Sequence, residues 1–345
     1  MTADTEGIDP ATVCAIFVTF GPDEGLAARV AALAGQVGSI LLVDNGSGPE
    51  GRRRVTAAAE RSGARVIANA ENLGIATALN QAALHAAESG CRWLLCLDQD
   101  ATPMAHMVGS LDHAYRSYPG RARIGMIGSS AFPTPLRCHD KAWVEEGWVI
   151  TSGSLLSLAA YAPTGRFRDD FFIDYVDVEY CLRLRAHGYS IIRACQPAML
   201  HDIGRPRRHR FLGRWPTTTD HPAWRRYYIT RNRILVWRAY ATAEPGVVLC
   251  DLGSFIRTTL KLLLFERDRG AKARSLARGV RDAARGRTGT GPPTRQQEGS
   301  DVTRGRPSQQ FSFRGSGGAD RRTPCSGCPA AGRPRGPAGR SRPRR

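Results

Sequence analysis

The chain has 345 residues, 42% of them hydrophobic, and a formal charge of +18. That much apolar material fills one large domain or two small ones, which excludes a chain that is disordered or fibrous throughout. The charge does not mark a nucleic-acid-binding domain, because residues 271–345 hold 18 Lys and Arg against 4 Asp and Glu and the rest is only mildly basic.

Residues 1–11 carry acids and a proline where a secretory leader would need basic and then apolar residues, and they are expected to be disordered. Thr12 to Phe20 then reads as a first strand and Asp23 to Gly35 as a helix. Strands are predicted over Ser39–Val43 and Ala64–Ala68, with helices over 50–62 and 75–88. Trp93–Leu97 is a fourth strand, and Gly125–Ser129 adds another after one more helix. Strands alternating with helices predict βαβ units around a mostly parallel sheet, the doubly wound arrangement of nucleotide-binding domains.

The strand ends carry the candidate chemistry. Thr19-Phe20-Gly21-Pro22 follows the first strand, Asp44-Asn45-Gly46-Ser47-Gly48 the second, and Asn69 with Asn72-Leu73-Gly74 the third. A carboxylate such as Asp44 accepts hydrogen bonds from a ribose or a base, and glycines let a ligand approach the backbone. There is no G-x-G-x-x-G after the first strand and no P-loop lysine, which excludes the phosphate cradles of dinucleotide oxidoreductases and P-loop ATPases. Asp98-Gln99-Asp100 directly follows the fourth strand, and two hard oxygen donors there suit Mg²⁺ or Mn²⁺ beside a diphosphate.

Farther along, Trp148, Thr151, Ser152, Gly153 and Ser154 combine an aromatic face with short polar groups of the kind that grips sugar hydroxyls. Asp174 and Asp177 stand at helical spacing and are expected to share a helix face, followed by a strand over Ser190–Ala194. Ten arginines fall between Arg205 and Arg238, and a planar guanidinium can hold two phosphate oxygens at once. Nine cysteines without framework spacing read as reduced thiols. Asp251, Arg257 and Lys261 interrupt the best apolar run, residues 246–265, so no membrane span is expected. The leucines and cations of residues 254–285 suit either an anionic membrane surface or an ordinary packed helix. From about Gly286 the chain is rich in Arg, Pro and Gly and is expected to be disordered, with Cys325 and Cys328 an incidental pair.

In this order V-T-F-G-P, V-D-N-G-S, N-L-G-I-A-T-A-L-N-Q and L-D-Q-D resemble an inverting family 2 glycosyltransferase with the A-type glycosyltransferase fold. The resemblance covers about Thr12 to Arg285. L-D-Q-D and F-F-I-D-Y-V-D-V-E-Y-C-L-R-L-R-A-H-G-Y are most similar to bacterial rhamnosyltransferases of O-antigen or other surface-polysaccharide assembly. It implies a catalytic domain over 12–245, basic amphipathic helices over 246–285 and a disordered tail over 286–345. It also implies a Mg²⁺ or Mn²⁺ cofactor, a dTDP-rhamnose or UDP-sugar donor, and a glycan or lipid-linked saccharide acceptor. The expected place is the cytoplasm, with peripheral contact on the inner face of the plasma membrane and no specific nucleic-acid partner.

Residue by residue, the resemblance makes Asp177 the general base, although Val176 stands where the commoner pattern has Glu. Asp98, Asp100 and His201 are the implied metal ligands, and Arg205 and Arg231 the phosphate contacts. Thr19, Phe20, Asp44, Asn72, Gly74, Asn80 and Asp98 would line the donor. Trp148, Ser152, Gly153, Asp174 and Glu179 would meet the sugar and acceptor. A catalytically silent nucleotide-sugar or nucleic-acid binding protein is the rival reading.

Overall fold

The computed structural model describes residues 7–132, 138, 141–200, 207–210 and 215–291. β1 (Val13–Thr19), α1 (Leu26–Ala31), β2 (Ser39–Asp44), α2 (Pro49–Ser62), β3 (Arg65–Ala68), α3 (Ile75–Glu88) and β4 (Trp93–Asp98) alternate as the sequence predicts. There follow β5 (Thr102–Pro103), α4 (Met107–Ser117), β6 (Ile124–Phe132), β7 (Trp143–Glu145), β8 (Ser154–Ser157), α5 (Leu158–Thr164), α6 (Val176–Ala186) and β9 (Ser190–Leu200). A short ribbon of β10 (Arg207–Arg208) and β11 (Thr217–Thr218) precedes α7 (Ala223–Tyr240), α8 (Pro245–Phe265) and α9 (Arg269–Ala284).

The main sheet runs β3-β2-β1-β4-β8-β6-β9-β5, with β7 beside β9. β3, β2, β1 and β4 are mutually parallel, and β8 runs against both of its neighbours. Alternate residues of β1 face opposite cores, as a strand covered on both sides requires. Val13, Ala15 and Phe17 pack with α1, α2 and α4, while Cys14 and Ile16 pack with the alanine-rich face of α3 and with α6. The chain builds outward from β1 through β2 to β3 and then returns to place β4 on the other flank of β1. The crevice at that reversal opens at the carboxyl ends of β1 and β4, the place where open α/β sheets hold ligands. The register sets Asp98 beside Val18, one residue before Thr19.

Four expectations change. Residues 7–11 join the fold instead of lying outside it, because Ile8 is buried and its N–H donates to Asp112 at 2.6 Å. α1 ends at Ala31 because Leu33 and Ala34 bond three residues back, and Gly35 at φ 74° turns the chain away. Cys138 and Cys195 form a disulfide, so not all thiols are reduced; Cys14, Cys91, Cys96 and Cys181 are free. The tail's first residues dock: the Gly289 N–H donates to the Asp170 carbonyl at 2.6 Å and the Gly291 N–H to the Tyr228 hydroxyl at 2.8 Å. Residues 292–345 lie outside the described set. No described helix is long and apolar enough to cross a membrane.

Candidate active site

The ends of β1, β2 and β3 are locked together by amides. The Asn45 amide donates to Asn72 at 3.0 Å and to the Gly74 carbonyl at 3.1 Å, while its oxygen accepts from the Leu73 N–H and from Asn69. Asp44 is buried and accepts the Ser47 N–H at 3.1 Å, and Ser47 in turn accepts the Gly21 N–H at 2.8 Å. Thr19 is buried and donates to the Val43 carbonyl. Gln99, which sits between the two acids of Asp98-Gln99-Asp100, ties β4 to β1 by accepting the Phe20 N–H at 2.7 Å and donating to the Phe20 carbonyl at 3.3 Å. The Phe20 ring stays exposed at the mouth of the crevice. The cleft is therefore preformed, and Gln99 is a residue that the sequence reading quoted without assigning.

Asp98 ends β4, with its N–H donated to the buried hydroxyl of Ser152 at 3.2 Å, and Asp100 lies exposed in the turn that follows. Gly153 beside Ser152 has φ 77°, and a β-carbon there would stand 2.4 Å from the Met199 sulfur, so the 152–153 turn packs without room to spare. Trp148 is exposed nearby in sequence.

Facing this edge is the segment before α6. Phe172, Asp174 and Tyr175 all have φ between 62° and 64°, a conformation that bulky residues adopt only when their surroundings force it. α7 supplies the force. The Asn232 amide, fully buried, donates 2.9 Å bonds to the carbonyls of Phe171, Ile173 and Asp174. Arg225 grips the Asp174 carboxylate with Nε and Nη2, at 2.9–3.1 Å. Arg233 and Asp251 hold the Tyr175 hydroxyl. The expected shared helix face is thus corrected: α6 begins only at Val176, and Asp174 sits in the left-handed loop before it.

The same segment meets the donor loops through Gly74. The Ile75 N–H donates to the Phe172 carbonyl at 2.8 Å, and a β-carbon on Gly74, whose φ is 86°, would lie 2.6 Å from that oxygen. Gly74→Ala combines a backbone clash with a forbidden φ. It is expected to cost about 2 kcal/mol or more, read as a lowered urea midpoint with the m-value unchanged.

Asp177 opens α6, partly buried, with its own carboxylate accepting the Val178 N–H at 2.9 Å. Burial pushes its pKa up to about 6; the Val178 bond works against that shift, and the nearby carboxylates of Asp174 and Asp98 add to it. Burial alone would lower the Arg225 guanidinium, yet Asp174, Asp98 and Asp177 together overcome it and raise its pKa. Three carboxylates from β4, the strained loop and α6 therefore share one electrostatic neighbourhood with one arginine.

Other expected site residues lie elsewhere. Asn80 is buried and its amide is fully used on Phe167, Asp169 and Tyr161, so it braces α3 and does not line a donor. Glu179 is buried against Arg183 at 2.9 Å and the Tyr240 hydroxyl at 3.0 Å, which corrects its assignment to the acceptor. Arg231 is wholly buried and spends its guanidinium on the carbonyls of Asp170, Phe171 and Gly289 and on Asn232, which corrects its assignment to phosphate. Arg226 pairs with Glu266 and Arg238 with the Ala283 carbonyl, so most of α7's arginines fasten the scaffold. His201 and Arg205 fall outside the described residues. Among the described residues no three His, Cys, Asp or Glu side chains gather into a metal cage.

Residues 14–118 match the family model of Glycosyl transferase family 2. Over 245 residues the chain is 26% identical to the dTDP-rhamnosyl transferase RfbF of Shigella flexneri, covering 66% of this chain and 80% of that one. S. aureus TarS residues 1–349, solved with UDP-GlcNAc, superposes with a TM-score of 0.52 at 11% identity over 79% of this chain and 81% of that one. The mannosyltransferase PcManGT of Pyrobaculum calidifontis, solved with GDP-Man and Mn²⁺, gives 0.50 at 16% identity over 79% and 87%. The fold is of the A type these structures share, and the family match together with the dTDP-rhamnosyl transferase relative supports a glycosyltransferase.

Proposed function

We propose that the chain is an inverting glycosyltransferase that moves L-rhamnose from dTDP-L-rhamnose to a hydroxyl of a glycan or lipid-linked saccharide. The observation that carries this reading is the Asp177 carboxyl at the start of α6, its pKa pushed up to about 6 by burial first and further by the carboxylates of Asp174 and of Asp98 at the end of β4. The likeness to a dTDP-rhamnosyl transferase supports the donor. Thr19, Phe20, Asp44, Asn72 and Gly74 form the preorganised rim on which the nucleoside rests, and Asp98 accepts from its ribose or meets its metal.

The donor set of Asp98 and Asp100 fits Mg²⁺ or Mn²⁺, which such carboxylates hold together with substrate phosphates and water. When bound, the cation supplies positive charge to the leaving diphosphate. The chain's own residues do the rest. Asp177 takes the proton from the acceptor hydroxyl as that oxygen attacks the anomeric carbon from the face opposite the diphosphate. Arg225 offsets the carboxylates so that an anion can enter. In this reading Asp174, Ser152, Gly153 and Trp148 orient the sugars, and His201 and Arg205 complete the metal and phosphate contacts.

Melting curves with a panel of nucleotide sugars test the donor. With Mn²⁺, dTDP-L-rhamnose is expected to raise the Tm, by about 2.7 kcal/mol of added stability at a hundredfold excess over Kd, and EDTA or Asp98→Ala is expected to abolish the shift. A shift produced by UDP-sugars and not by dTDP-rhamnose would replace rhamnose with a UDP-linked galactofuranose or hexose.

A further inference from the structure

α8 has one inward face and one outward one. Asp251 bonds the Tyr175 hydroxyl and the Trp237 indole, Phe255 packs edge-on against Trp237 at 5.6 Å, and Leu262 is buried. On the other side Leu249, Leu252, Ile256, Leu260, Leu263 and Leu264 are all exposed, Leu249 by 66% and Leu264 by 56%. Their spacing of three and four residues aligns them in a single stripe, roughly 22 Å long at helical rise. An apolar patch of that extent marks an interaction surface.

Charge identifies what covers it. Arg257 and Lys261 each follow a stripe leucine or isoleucine by one residue and so line one flank. Between residues 245 and 285 seven arginines are exposed against a single exposed acid, Asp268. The β10–β11 ribbon, which accepts the Lys261 ammonium on the Thr217 carbonyl, extends the patch with exposed Trp215, Arg208 and Arg210. Two copies packed stripe to stripe would set these cations against each other with almost no acid to pair them. An anionic lipid surface complements them, takes up the leucines, and favours an indole at headgroup depth.

We infer that α8 lies in the headgroup layer of an anionic membrane, apolar stripe inward, with Trp215 and the flanking cations at the lipid phosphates. Because Asp251 on the opposite face of α8 bonds Tyr175, two residues from Asp177, the contact brings the site to the membrane surface. That a lipid-linked acceptor waits there rests on the proposed function; the membrane contact itself does not.

Sedimentation of the full chain with vesicles made of equal parts phosphatidylglycerol and phosphatidylcholine, and with phosphatidylcholine alone, is the test. Binding to the anionic vesicles only is expected, with Ile256→Glu plus Leu260→Glu weakening it about tenfold or more at an unchanged Tm. Arg257→Glu is expected to weaken it less and to reduce its salt sensitivity. No binding to anionic vesicles, equal binding by the double variant, or a doubled mass in solution that the double variant abolishes would overturn the inference, the last in favour of a second copy. Because no nucleotide sugar or acceptor is present, failure here leaves the proposed reaction untouched.

Discussion

Asp177→Asn is expected to lower transfer by about 10²–10⁴-fold while leaving the nucleotide-sugar-induced Tm shift nearly unchanged. The amide keeps the shape of the side chain and can still accept the Val178 N–H, but it cannot take a proton from the acceptor. The same substitution should stabilise the protein. The folded-state pKa of about 6 lies above that of an unfolded aspartate, so the folded state binds the extra proton and stability falls as pH rises through that interval. Above pH 6 the penalty is fully present, and removing the charge recovers on the order of 2 kcal/mol. The variant is therefore expected to melt above the wild type at pH 7.5, with the gap closing below pH 4. Wild-type turnover should in turn rise with pH through about 6, as the base loses its proton. A variant that is inactive and also less stable at neutral pH would point to a structural role.

Asn232→Leu is expected to be among the most damaging changes available in α7. It removes a donor from the carbonyls of Phe171, Ile173 and Asp174, of which Phe171 alone keeps Arg231 as a partner, in a segment where Phe172, Asp174 and Tyr175 are held at positive φ. The loss of the amide should cost about 3 kcal/mol, seen as a lower urea midpoint. Because those carbonyls fix the turn that launches α6, transfer should fall further than stability alone explains at temperatures where the variant is folded. Asp174→Asn, which keeps the Asn232 amide but gives up the charge of the Arg225 pair, is expected to cost less stability than Asn232→Leu, and this contrast separates the two halves of the clamp.

The first half of the fold was legible in residues because parallel strands buried on both faces read as continuous apolar runs, and Val13–Thr19, Ser39–Asp44 and Trp93–Asp98 do. Helix α3 matched at both ends because Gly74 breaks the chain before it. The motifs also marked where strands end, and Asp44 and Asp98 do close β2 and β4, with Asn72 in the loop after β3. The chain was illegible where backbone conformation departs from local preference. Asp174 looked helical by spacing, and only the tertiary clamp from Asn232 and Arg225 bends it out of the helix. Arg231, Glu179 and Asn80 looked functional by type, yet each is buried with its polar atoms spent on neighbours, a condition set by packing and invisible in a string of letters. The disulfide between Cys138 and Cys195 escaped for a similar reason, since two distant cysteines meet only after β6 and β9 pair.

The anomeric configuration of the product tests the central claim most directly. With dTDP-L-rhamnose and a saccharide acceptor, the one-bond carbon–hydrogen coupling at the transferred sugar's anomeric centre reports its configuration. A single displacement driven by Asp177 predicts the configuration opposite to that of the donor, with the product signal lost in Asp177→Asn. Product that keeps the donor's configuration, or inverted product formed as fast without the Asp177 carboxylate, would contradict it.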